Sequence, residues 1–254
     1  MNRQTILGGA VILAVFAGLA FFGLSRPSAP ASAPETAQTP ILPAGQYVEH
    51  AAYYDIVANY ATSTPLSAKA NVVAIRTMQQ FIADTIAEFK KNGNFDSLTA
   101  RDIQMMGYDK GRKQTLDVKY LFGSSSNTVS YIYTIYMDTL GAHGNTDFKT
   151  FTFDKRSGAL LSLADVFLPG AKYLDTLSSK SRSMLAGNLA PYGVQSEIDA
   201  GTTPEESNFS DFFLDNRDFV ILFPPYQVAA YAAGPQTVRI PLSDLSSILK
   251  PAYR

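Results

Sequence analysis

The run from Ile6 to Leu24 contains no Asp, Glu, Lys or Arg, and it constrains everything that follows it. At about 1.5 Å rise per residue, a helix over these positions is roughly 28 Å long, close to a hydrocarbon thickness of about 30 Å. The run therefore reads as a transmembrane helix over 6–24. The positive-inside bias keeps Arg3 cytoplasmic and places the remainder outside the cell membrane as a single-pass, extracytoplasmic domain. The alternative is a cleaved signal segment and a secreted protein, because Ala31-Ser32-Ala33 has the small-x-small form of a cleavage site. Two features favour a retained anchor. The run exceeds the usual signal core of about 7–15 residues, and Pro34 would directly follow the cut.

Residues 25–46 carry Pro27, Pro30, Pro34, Pro40 and Pro43 among Ser, Ala and Thr. Such a segment favours extended chain and buries little, so it reads as a linker. The folded part is expected as two halves, 47–127 with a strand-helix-strand pattern and 128–254.

Alternation of apolar and polar residues predicts a strand over 54–60. Beyond Pro65, with Ser67 as cap, Val72, Ile75, Met78, Ile82, Ile86 and Phe89 recur at helical spacing until Lys90-Lys91-Asn92-Gly93. Alternation returns over 115–122 and 129–137, a hairpin across a Gly-Ser-Ser-Ser-Asn turn, and another strand follows over 148–153. Leu174, Leu177, Ser181, Met184 and Leu185 mark a second helix, and the polar stretch 197–208 reads as loop. The close is β: 211–214 and 219–223 as a hairpin, a strand over 237–242, and a short helix capped by Ser243. The expected fold class is α+β, with antiparallel β-sheets, one amphipathic helix packed in each half, and the N-terminal transmembrane helix.

Composition removes several function classes. The chain has no cysteine, which excludes thiolate metal sites, thiol nucleophiles and disulfide frameworks. It carries 21 Lys and Arg against 22 Asp and Glu, without the basic excess a nucleic-acid surface needs. Only His50 and His143 occur, and no HExxH, GxSxG or phosphate-binding glycine loop is present. No catalytic residue, metal or cofactor is expected, and the chain reads as a non-enzyme. A carboxylate pair for glycan hydrolysis stays open as the competing reading, because its separation cannot be read from sequence. The cluster Asp211, Asp215 and Asp218 is better explained by turn chemistry.

Three residues stand out as binding candidates. His143 sits between Gly141 and Gly144, where glycine permits an imidazole at a strand end, against the plainer reading of a turn histidine bonded to backbone. Tyr226 and Tyr231 lie beside Pro224-Pro225, where a rigid ring with a polar tip suits protein or sugar recognition. Tyr131 and Tyr133 read as sheet core instead.

The order of Tyr133-Thr134-Ile135, Gly141-Ala142-His143-Gly144, Phe151-Thr152-Phe153-Asp154, Ser157-Gly158-Ala159-Leu160 and Leu163-Ala164-Asp165-Val166-Phe167 resembles the RsiV-like extracytoplasmic domain family. Phe223-Pro224-Pro225-Tyr226-Gln227-Val228-Ala229, Gly234 and Val238-Arg239-Ile240-Pro241 look like the family's closing block. Residues 53–91 are similar to the strand-helix unit that precedes it. The resemblance implies a domain shared by a lysozyme-sensing anti-sigma factor and a peptidoglycan deacetylase, and hence binding of a muramidase-like protein or peptidoglycan at the cell envelope. Neither sigma release nor deacetylation is expected to carry over, because the sequence shows neither the sigma-binding part nor the deacetylase module. A structural role in a surface complex is the third reading.

Overall fold

The computed structural model describes residues 44–190 and 193–254. The apolar run 6–24 and most of the proline-rich segment lie outside the described residues. Among the described residues no helix is long and apolar enough to cross a membrane.

The first sheet is built from β1 (Ala44–His50), β2 (Tyr54–Ala61), β3 (Gln114–Ser124), β4 (Thr128–Asp138) and β5 (Asn145–Asp154), in that spatial order. β1 starts inside the segment read as linker. Its Ala44-Gly45-Gln46 opening carries no apolar alternation, and its place comes from pairing with β2 from Ala44↔Ala61 to His50↔Asp55. One expectation is corrected: β2 and β3 are parallel, Tyr54 facing Gln114, while every other pairing in this sheet is antiparallel. Parallel neighbours need a long crossover. It is supplied by α1 (Ala68–Gly93) and α2 (Ala100–Met106).

Ser67 caps α1 by accepting from the Ala70 N–H at 3.5 Å, and Asn94 ends it in a left-handed conformation, φ 48°. Lys90 and Lys91 in the last turn complement the negative end of the helix dipole. Ala74, Met78, Ile82 and Phe89 are its buried face, packed on Ile56, Leu116, Val118, Tyr131 and Tyr133. Val72, which the periodicity assigns to the stripe, is instead 55 % exposed. β4 is buried on both faces over 129–133 because the second sheet covers the side opposite α1. Polar contacts cross to the second sheet there: Ser130 bonds Thr152 at 3.0 Å, and the Thr152 hydroxyl donates to the Phe212 carbonyl at 3.1 Å.

Beyond β5 come α3 (Leu163–Val166), α4 (Tyr173–Leu189) and α5 (Gln195–Gly201). The second sheet, β6 (Phe212–Leu214), β7 (Asp218–Phe223) and β8 (Gln236–Pro241), is antiparallel throughout, and α6 (Leu242–Leu245) follows. Leu177, Leu185, Ile198, Phe219, Ile221 and Ile240 belong to the core under α4 and α5. The fold is α+β, with several helices where one per half was expected. The stretch 197–208 is not a loop. α5 and a 3-10 turn over 206–209 occupy it, because Ile198 and Phe209 are buried beneath polar neighbours. Ser243 lies inside α6, and Pro241 holds the cap position.

Candidate functional site

The three sequence-predicted binding residues meet. The His143 imidazole stacks on the Tyr231 ring, with centroids 4.7 Å apart and planes 8° from parallel. Tyr226 lies against the other ring of the pair, 5.6 Å from Tyr231 at 34°. His143 comes from the β4–β5 connection and the two tyrosines from the β7–β8 connection, so the array joins the two sheets.

Each ring is held by its backbone. The β4–β5 turn is pinned where the Asp138 carboxylate accepts from the Leu140 N–H at 2.7 Å, with Leu140 left-handed at φ 62°. Gly144 then passes so close to the Tyr136 ring that a Cβ would stand 2.4 Å from its oxygen. A side chain at 144 would require the Tyr136 ring to shift. The imidazole Nδ1 of His143 is buried and makes no hydrogen bond among the described residues. The expectation of a turn histidine bonded to backbone therefore does not describe this nitrogen.

The tyrosine segment is anchored from below. The Gln227 amide donates to the carbonyls of Gly201 and Asn208 at 3.0 and 3.1 Å, while Val228 and Ala229 are buried. Gly201 ends α5 against this backbone, where a Cβ would meet the Gln227 oxygen at 1.8 Å. With both sides fixed, Tyr226 takes φ 68° and presents a ring that is 46 % exposed. A left-handed non-glycine residue costs about 1–2 kcal/mol, and such strain collects at functional sites. Nothing in the sequence marked Gln227 or Gly201 as supports, because their contacts lie across the chain.

Tyr131 and Tyr133 are fully buried, as sheet core. Asp215 caps its own turn, accepting from the N–H groups of Arg217 and Asp218 at 2.8 and 2.7 Å, and pairs with Arg239 at 2.6 Å. Asp211 faces away from that turn and accepts from the Thr150 N–H of β5 at 2.8 Å. Burial pushes its carboxyl above the usual range. Among the described residues no group of three or more His, Asp or Glu is arranged to hold a metal ion.

A group that sequence reasoning missed lies at the start of the sheet. Glu49 on β1 accepts from Lys90 and Tyr54 at 2.5 Å each, and from Tyr47. These bonds, that of Lys90 foremost, hold its carboxyl down to about 2. The alternation of Tyr47 and Glu49 was the available signal, hidden by the proline-rich stretch before it.

Residues 164–243 match the family model described as protein of unknown function DUF3298. That stretch is similar to the DUF3298 domain. It supplies Tyr226 and Tyr231, while His143 comes from outside it. A curated relative, the peptidoglycan-N-acetylmuramic acid deacetylase PdaC of Bacillus subtilis strain 168, is 29% identical over 195 residues, 77% of this chain. The chain spans 40% of that protein's length. A crystal structure of a DUF3298 family member from Bacteroides fragilis has the same fold with a TM-score of 0.56 at 18% identity, covering 84% of this chain and 95% of that one. Coverage of that extent reaches well beyond the DUF3298 segment and takes in the first sheet as well.

Proposed function

We propose that this chain is a non-enzymatic recognition domain of the cell envelope, held outside the membrane by residues 6–24, which binds peptidoglycan through the array of Tyr226, Tyr231 and His143. The observation that carries this reading is the exposed Tyr226 ring, kept in a costly backbone conformation beside the stacked pair. Aromatic faces of this kind take up the apolar face of a sugar, and the phenol tip offers a hydrogen bond at its rim. The choice of ligand class is supported by the relative, whose name includes peptidoglycan. Stacked ring faces with a phenol at the rim are groups that hold a ligand, and they make binding the function the geometry of the array supports.

The test is co-sedimentation of the detergent-solubilised full chain with insoluble peptidoglycan. Wild type is expected in the pellet, with Tyr226→Ala and Tyr231→Ala each weakening retention about tenfold, the loss of one stacked ring. A lysozyme-type muramidase, the protein ligand implied by the family resemblance, is the second probe. Retention by neither, or release of soluble wall fragments by the wild-type chain, would overturn the proposal.

A further inference from the structure

A second surface, at the opposite edge of the first sheet, carries an independent feature. Val72, Arg76, Gln79, Ala83 and Ile86 form one stripe along α1, and from Val72 to Ile86 the helix rises about 21 Å. Beside this stripe runs a groove made of two cavities, of about 530 and 390 Å³, which share Gln79 and Ala83. The β1–β2 hairpin contributes Tyr47 and Tyr60 to its lining, and Thr62 and Asn71 line the larger cavity. The β4–β5 turn that carries His143 belongs to the other side of the sheet, where β5 is the edge strand.

The lining has a narrow chemistry. Arg76 is the one charged residue among those that line the two cavities. The side chains of Arg76 and Gln79 are exposed and make no hydrogen bond or ion pair with another described residue. Gln80 is partly used, its amide donating to Asp84 at 2.8 Å. No carboxylate lines the groove itself, Asp84 and Glu49 lying behind its lining residues Gln80 and Tyr47, and a single guanidinium suits a ligand with sparse negative charge. A polyanion such as nucleic acid would call for a row of cations. Amides and tyrosine rings complete the set that binds sugar hydroxyl and acetamido groups.

We infer that this groove is a second glycan subsite, which takes an N-acetylated oligosaccharide bearing a carboxylate, Arg76 pairing with the carboxylate and Gln79 with an acetamido group. This rests on the reading of the chain as a glycan-recognition domain, but uses different residues.

The experiment is calorimetric titration of the full chain in detergent with two probes. One is a soluble tetrasaccharide of alternating N-acetylglucosamine and N-acetylmuramic acid with free lactyl carboxylates, and the other is neutral chitotetraose. Arg76→Gln is expected to weaken the acidic probe about tenfold, the value of one charge-assisted bond, and to leave chitotetraose unchanged. Gln79→Ala is expected to weaken both probes. Affinities unmoved by either substitution, but lowered by Tyr226→Ala, would overturn the groove and leave the ring array standing. Affinities lowered by the groove variants and unmoved by Tyr226→Ala would support the groove and count against the array. Wild-type chain that binds neither probe would overturn the groove.

Discussion

The Tyr253 hydroxyl donates to the Asp154 carboxylate at 3.1 Å, which fastens the last turn of the chain to the end of β5. Burial raises the Asp154 carboxyl, yet the hydrogen bonds from Ser157 and Tyr253 outweigh it and hold the group below its ordinary value. The same burial, with the bond to Asp154, lifts the tyrosine to about 12. Asn127 reinforces the closure by donating to the Ala252 carbonyl at 2.6 Å. Tyr253→Phe keeps the ring and removes one bond to a charged group, so we expect a loss of about 1.5–3 kcal/mol in urea unfolding, with the slope unchanged.

Glu49 makes stability depend on acid. Its folded value is depressed to about 2, so its contribution is complete above its unfolded value of 4.5 and is lost as pH falls through 2. Glu49→Gln should cost about 1 kcal/mol at pH 7, a figure moderated by partial exposure of the pair. The gap between variant and wild type should narrow steadily below about pH 4.5 in urea titrations. A gap that stays constant down to pH 2.5 would refute the assignment.

Asp211 has the opposite sign. Its folded value is raised by burial, so ionisation disfavours the fold, and its contribution is lost as pH rises from the unfolded value through the folded one. Asp211→Asn retains an oxygen for the Thr150 N–H without the charge, and should be neutral or stabilising at pH 7. Asp211→Ala leaves that N–H without its partner and should cost about 1–3 kcal/mol. Thermal melts of the two variants decide between them.

Tyr226→Gly separates strain from stability. Glycine accepts φ 68° freely, so the melting temperature should hold or rise by an amount equivalent to at most about 1 kcal/mol, while retention on peptidoglycan falls. A drop in both would mean that Tyr226 is a packing residue.

Gly201→Ala tests the support beneath the array. Its Cβ would stand 1.8 Å from the Gln227 oxygen, a backbone atom, so the 224–229 segment must move. We expect a loss of about 1–3 kcal/mol, as in other overpacked sites, together with weakened retention on peptidoglycan.

Local pattern carried much of this protein. The strands around 54–60, 115–122 and 129–137, the helix from Ser67 onward and the buried Tyr131 and Tyr133 follow from period and capping, which act between near neighbours in the chain. His143, Tyr226 and Tyr231 were visible as unusual residues in turns, though not as one group. Their stacking brings the β4–β5 turn, where Gly144 passes over Tyr136, against the β7–β8 connection that Gln227 anchors to Gly201, and that meeting joins segments far apart in the chain. The strand β1, the parallel pairing of β2 with β3 and the exposure of Val72 have the same origin. Alternation states which face a residue prefers. Only packing decides which strand lies beside it, which helix turn the sheet fails to cover, and where a tyrosine can be held in a left-handed conformation.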